Sequence, residues 1–159
     1  MKCFRLINLL LVFISSLCTN VSTALTEQTS PYLPEPQLTP GAAFTDATRQ
    51  EIYLPGYAKR VRAVPLKVKQ QVYREYGIRR HKPGEYEIDH LIPLELGGSN
   101  HIANLWPEPY HGPNNAHNKD KLEDFLHQQV CAGNIPLQQA QQEIKTNWIA
   151  AYQQYLADR

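Results

Sequence analysis

The chain has 159 residues, 42% of them hydrophobic and 19% charged, with a formal net charge of +1. That length accommodates one domain with extensions and buries a core without help from disulfides. The composition is that of an ordinary globular protein, and the near-neutral balance excludes binding to polyanions through overall charge alone.

Residues 1–24 read as a signal peptide. Lys2 and Arg5 precede a largely apolar run from Leu6 to Leu17, and Ser22 and Ala24 supply a small-x-small cleavage pattern before Leu25. The run falls short of the roughly 18 apolar residues that a spanning helix needs. The mature chain is therefore expected to lack a membrane span and to be exported, to a periplasmic or extracellular location. Leu17 is too bulky to precede a lipid-modified Cys18. Cleavage removes Cys3 and Cys18 and leaves Cys131 without an intramolecular disulfide partner, and its place beside Val130 favours burial. It also removes two positive charges, taking the formal charge from +1 to −1.

Residues 25–44 are expected to form a Pro-rich arm or linker, with Pro31, Pro34, Pro36 and Pro40 and little apolar periodicity. Residues 45–159 are read as the folded domain. Its charge is uneven: Lys59, Arg60, Arg62, Lys67, Lys69, Arg74, Arg79, Arg80 and Lys82 stand against the single acid Glu75, a local excess of +8. Such a block suits the wall of a phosphate-binding cleft, and equally a solvated helix face.

Pro65 opens a predicted helix that runs to Tyr76 and stops at Gly77. Tyr86 to Leu91 alternates as a strand does, with Ile88 on the face opposite Asp89. Gly97 and Gly98 turn the chain, and Asn104 to Trp106 begins a return strand that Pro107 and Pro109 are expected to break. Lys119 to Val130 carries Leu122, Phe125, Leu126 and Val130 at helical spacing, with Gly133 near its end. A last helix follows from Pro136, and its stripe of Leu137, Ala140, Ile144, Trp148, Tyr152 and Tyr155 is read as core.

The chemistry concentrates in EIDHLIPLELGGSNHIANLW, Glu87 to Trp106, and in HNKDK, His117 to Lys121. A half-buried strand needs only Ile88, Leu91 and Leu94. Asp89, His90, Asn104 and His117 are instead the residue types that hold a divalent cation and activate water. His90, with an ordinary pKa near 6.5, suits a general base at neutral pH, and Asp89 is a hard-oxygen ligand for Mg²⁺.

In its Asp-His pair, its Pro and Gly-Gly, its Asn104-Leu105 and its HNxxK at His117, the chain resembles the HNH nuclease family. LTPG, LPGYAKRVR and NLWPEP make the flanks similar to a subgroup of small exported bacterial members. The resemblance covers about 86–130 and implies an α+β fold, a ββα-metal core with additional flanking helices. It implies His90 as base, Asn104 as the side chain orienting it, and Asp89 and His117 as ligands of one divalent ion, Mg²⁺ first and Mn²⁺ or Zn²⁺ as alternatives. Arg79, Arg80 and Lys121 are candidates for holding substrate phosphate. The expected activity is metal-dependent hydrolysis of DNA, or also RNA, with little sequence preference, by a monomer. A nucleic-acid-binding or structural protein that keeps the fold without activity is the alternative. WPEPYHGPNNA makes the gap between Asn104 and His117 longer than the family's, so His111, Asn114, Asn115 and Asn118 also stand as candidates for the last ligand.

Overall fold

The computed structural model describes residues 30–157, so the expected signal peptide and its cleavage point lie outside the described residues. The elements in order are α1 (Arg49–Ile52), α2 (Tyr57–Val61), α3 (Leu66–Glu75), β1 (Tyr86–His90), β2 (Leu105–Pro109), α4 (Ala116–Ala132) and α5 (Leu137–Leu156), with 3₁₀ turns at Leu94–Leu96 and Ile102–Asn104. Among the described residues the fold is α+β: five helices around a two-stranded antiparallel sheet. No helix among the described residues is long and apolar enough to cross a membrane.

Local chemistry sets the helix ends. α3 starts after Pro65, whose fixed φ suits a helix entrance, and ends where Gly77 takes φ +69°. α4 starts earlier than its apolar spacing predicts. The Asn115 side chain accepts from the Asn118 N–H while Asn118 accepts from the Asn115 N–H, a reciprocal cap that begins the helix at Ala116. In α5 the backbone leaves helical geometry at Asn147, and the Asn147 side chain caps the second half by accepting from the Ala150 N–H at 3.0 Å.

Leu122, Leu126 and Val130 of α4 and Leu137, Ala140, Ile144 and Trp148 of α5 interleave as the main core with Ile52, Ile92 and Leu96, and Tyr152 and Tyr155 pack at its edge. The C-terminal stripe is thus core, as its period predicts. Residues 30–40 pass through two turns, closed by the Leu33 N–H on the Ser30 carbonyl and the Thr39 N–H on the Glu35 carbonyl, and pack against this body: Pro34 and Thr39 are buried, Thr39 Oγ1 donates to the Leu105 carbonyl, and the Trp148 indole donates to the Tyr32 carbonyl. Cys131 is half-buried and unbonded to another cysteine among the described residues.

The expected break at Pro107 and Pro109 does not occur, because both lie inside β2, paired with Ile88 and Tyr86. The hydrogen bonds of this ladder fall on the other parity: the Leu91 N–H donates to the Asn104 carbonyl and the Tyr110 N–H to the Glu85 carbonyl. The two prolines thus present their missing donors to the unpaired edge, where a two-stranded sheet needs none.

Between the strands the chain makes a tight loop in which Gly98 lies against the backbone of Ile92. A Cβ at Gly98 would sit 1.7 Å from the Ile92 carbonyl oxygen, and the Gly98 N–H donates to the Pro93 carbonyl at 2.9 Å. Backbone cannot swing aside as a side chain does. Gly98→Ala is expected to destabilise the domain by about 3 kcal/mol, the upper end for overpacking, as read by urea denaturation. An unchanged midpoint would mean the loop re-forms freely.

Candidate active site

β1 delivers Asp89 and His90 to one end of the sheet, where the loop through Gly98 closes over them. His90 is 1% exposed. Its Nε2 lies 3.2 Å from the Asn100 Oδ1. The amide of Asn100 has its orientation fixed by backbone: Nδ2 donates to the Val61 carbonyl at 2.8 Å, and Oδ1 accepts from the Ala63 N–H at 3.1 Å. The atom facing His90 is therefore an acceptor, so Nε2 carries the imidazole proton and Nδ1 holds the lone pair. That Nδ1 is buried and has no hydrogen-bond partner. Burial lowers the His90 pKa below its ordinary value, against the opposing pull of the Asp89 carboxylate, and so favours the neutral, proton-accepting ring.

Asn100 carried no signal in the sequence, sitting as it does among turn residues. Asn100→Ala is expected to free the ring from the partner that fixes its orientation and tautomer, and to move the His90 titration, followed by NMR, further to acid, because the Asn100 contact raises the His90 pKa. A titration matching the wild type would remove Asn100 from the site.

The amide of Asn104, expected to orient His90, bonds instead to the main chain of the loop that follows it. It is fully buried; its Nδ2 donates to the Ile92 and Ser99 carbonyls at 2.9 and 3.0 Å, and its Oδ1 accepts from the Ile92 N–H at 2.9 Å. Its side chain thus ties the two ends of the loop that follows His90.

The largest surprise is Lys119, a lysine with no exposed surface. Its ammonium donates to Asp89 Oδ2 at 2.6 Å, to the His90 carbonyl at 2.9 Å and to Glu123, and lies 3.8 Å from Glu108 Oε2. Burial alone would lower the Lys119 pKa, but Asp89, Glu123 and Glu108 outweigh it and hold the ammonium charged. Burial likewise opposes ionisation of Asp89, yet Lys119 keeps that carboxyl below its usual range. For Glu108 burial dominates and raises the pKa well above the ordinary value, and for Glu123 it does so to about 8.

Two cavities meet over this cluster. A smaller one of about 330 Å³ is lined by Asp89, His90, Glu95, Asp120, Glu123 and Asp124 together with Arg62. An open cleft of about 800 Å³ shares Arg62, Asp89, Asp120 and Glu123 and continues past Lys69 of α3. From the basic block, Arg62 and Lys69 thus line the cleft. Arg79, Arg80 and Lys121 are exposed and lie outside both sets of walls.

His117 stands at the first turn of α4 with its side chain 71% exposed, its Nδ1 4.0 Å from Asp120 Oδ2. It lines neither cavity, although Asp120 beside it lines both. Asn115 and Asn118 are occupied in capping α4, and His111 is exposed and Asn114 half-exposed, neither lining either cavity. Among the described residues no three His, Cys, Asp or Glu side chains are disposed to hold a metal ion; Asp89, Glu108 and Glu123 converge on the Lys119 ammonium instead. Mg²⁺ asks for less, one or two carboxylates completed by water and substrate phosphate. Asp89 and Glu123, hard-oxygen donors that line both cavities, fit that requirement.

In comparisons with known proteins, no family model, curated protein or solved structure matches the chain.

Proposed function

We propose that the chain is a metal-dependent endonuclease of the HNH type that hydrolyses DNA phosphodiester bonds with little sequence preference. The observation that carries the reading is the bare, buried Nδ1 of His90, held by Asn100 in a wall of a carboxylate-lined cavity that shares its lining with a cleft bearing Arg62 and Lys69. The order of β1, β2 and α4, with the Asp-His pair closing β1, supports the same reading.

In this scheme His90 Nδ1 takes the proton of the attacking water, and the neighbouring Asp89 carboxylate favours the imidazolium so formed. Lys119 holds the Asp89 side chain and the His90 carbonyl in fixed relation. Arg62 and Lys69 draw the phosphates in and add positive charge beside the reacting one. Asp89 and Glu123 would hold a divalent ion, which when bound stabilises charge on the phosphate and leaving oxygens.

Incubating supercoiled plasmid with the purified chain tests the reading: nicked and linear products should form with Mg²⁺ or Mn²⁺ and vanish with EDTA. Plasmid and single-stranded DNA both left intact at every metal tested would reject it. The same assay sorts the ligands. Glu123→Gln should raise the Mg²⁺ concentration for half-maximal activity about 10-fold or more, while His117→Ala should leave it near the wild-type value. The reverse result would return the second ligand to His117.

A further inference from the structure

The wall of the large cleft carries more than charge. Tyr73 of α3 and His81 stack in parallel, centroids 4.3 Å apart at 25°, and Tyr86 of β1 meets His81 edge-on at 6.4 Å and 83°. All three line the 800 Å³ cleft with Arg62, Lys69 and Tyr110. His81 is exposed and Tyr73 and Tyr86 are half-buried, so these rings are not consumed by the core.

Resting on the nuclease reading, we infer that the cleft accepts nucleic acid as a single strand, its unpaired bases stacked on the Tyr73, His81 and Tyr86 wall and its phosphates on Arg62 and Lys69. An aromatic ring gains from a base only when a face of that base is free, and in a duplex both faces are covered by neighbouring pairs. A duplex is read instead by an element that protrudes into a groove. Here the rings line a recess, with α3 packed along β2 rather than standing out from the surface. Aromatic side chains beside Arg62 and Lys69 in one cleft are the combination that binds strands without regard to sequence, while Glu87, Asp89, Asp120 and Glu123 stand in the same lining. The segment from Lys59 to Lys82 carries nine basic residues and one acid, and of these Arg62 and Lys69 line the cleft. The scissile phosphate of a strand in the cleft would then lie toward Asp89 and Glu123, which the cleft shares with the His90 cavity.

Fluorescence anisotropy at fixed salt, with EDTA to prevent cleavage, tests the inference with a short labelled DNA strand and its duplex. The single strand should bind about 10-fold tighter or better. His81→Ala and Tyr73→Leu should each weaken strand binding about 5- to 100-fold with duplex binding unchanged, and Tyr73→Phe should keep wild-type affinity. His81 is exposed, so its variant tests the cleft even if Tyr73→Leu is unstable. Equal affinity for strand and duplex, or undiminished strand binding by a folded His81→Ala and Tyr73→Leu, would overturn the inference. A chain that prefers strands in this way but cuts no nucleic acid with Mg²⁺ would keep the inference and reject the nuclease; one that cuts plasmid yet prefers duplex would do the opposite.

Discussion

Lys119→Met is expected to destabilise the domain by about 3 to 5 kcal/mol at neutral pH, the scale of removing one partner from a buried ion pair. Met matches the length of the aliphatic stem, so the packing of the stem is largely kept and the loss falls on the charge. The wild-type ammonium has no exposed surface and is the common partner of Asp89, Glu123 and Glu108. Without it three carboxyl groups face one another in a poorly solvated space, and each can escape only by taking a proton. The folded-state pKa values of these acids would rise, which sets the sign of the pH dependence. Their contribution to stability is intact below the unfolded carboxyl range near 4 and is lost as pH rises through the raised folded values. The variant should therefore recover towards wild type in acid and be weakest in alkali. Lys121→Met, two residues away and exposed, should change stability by no more than about 0.5 kcal/mol. Urea denaturation of both variants across pH decides the matter: a Lys119 variant as stable as the Lys121 one at neutral pH would mean that the ammonium contributes nothing.

His90→Ala is expected to lower the cleavage rate about 10² to 10⁴-fold, the scale for one general base, while strand binding stays within a few-fold of wild type. The imidazole is asked to accept a proton, and Arg62, Lys69 and the aromatic wall are left in place. The wild-type pH profile should carry the signature of a buried imidazole. Burial lowers the His90 pKa, so the neutral ring persists as pH falls through the ordinary value near 6.5 and the acid limb of the rate lies below it. The same shift contributes stability above pH 6.5 that is lost as pH falls through the folded pKa, because only the unfolded ring takes up the proton readily. His90→Ala should abolish both effects. Near wild-type cleavage by a folded His90→Ala would end the assignment of His90.

Much of this architecture is legible in the sequence because local rules and tertiary packing agree there. Pro65 and Gly77 bracket α3, the α5 stripe is core, and the alternation around Ile88 is β1. Disagreement appears where a residue type has two physical uses. Proline ends most strands, yet Pro107 and Pro109 persist at the outward parity of an edge. Lysine in a run such as HNKDK reads as a solvated helix face, yet Lys119 is buried. One signal for it was present: Lys119, Leu122, Leu126 and Val130 follow one helical face, and Glu123 lies one turn on from Lys119. Polar Asn100 and Asn104 differ from each other only through distant backbone partners, Val61 and Ala63 for one and Ile92 and Ser99 for the other, which no local pattern encodes. His117 was expected in the site on resemblance; where its side chain points depends on the cap that starts α4 at Ala116.

Which nitrogen of His90 carries the proton decides whether the ring can serve as the base. Long-range proton–nitrogen correlation spectra of the ¹⁵N-histidine-labelled chain at neutral pH, with His90→Ala used to assign the ring, report this directly. The predicted result is a neutral ring protonated at Nε2, with Nδ1 giving the shift of an unprotonated nitrogen that loses its lone pair only as pH falls below about 6.5. A proton on Nδ1, or an imidazolium at neutral pH, would contradict the account.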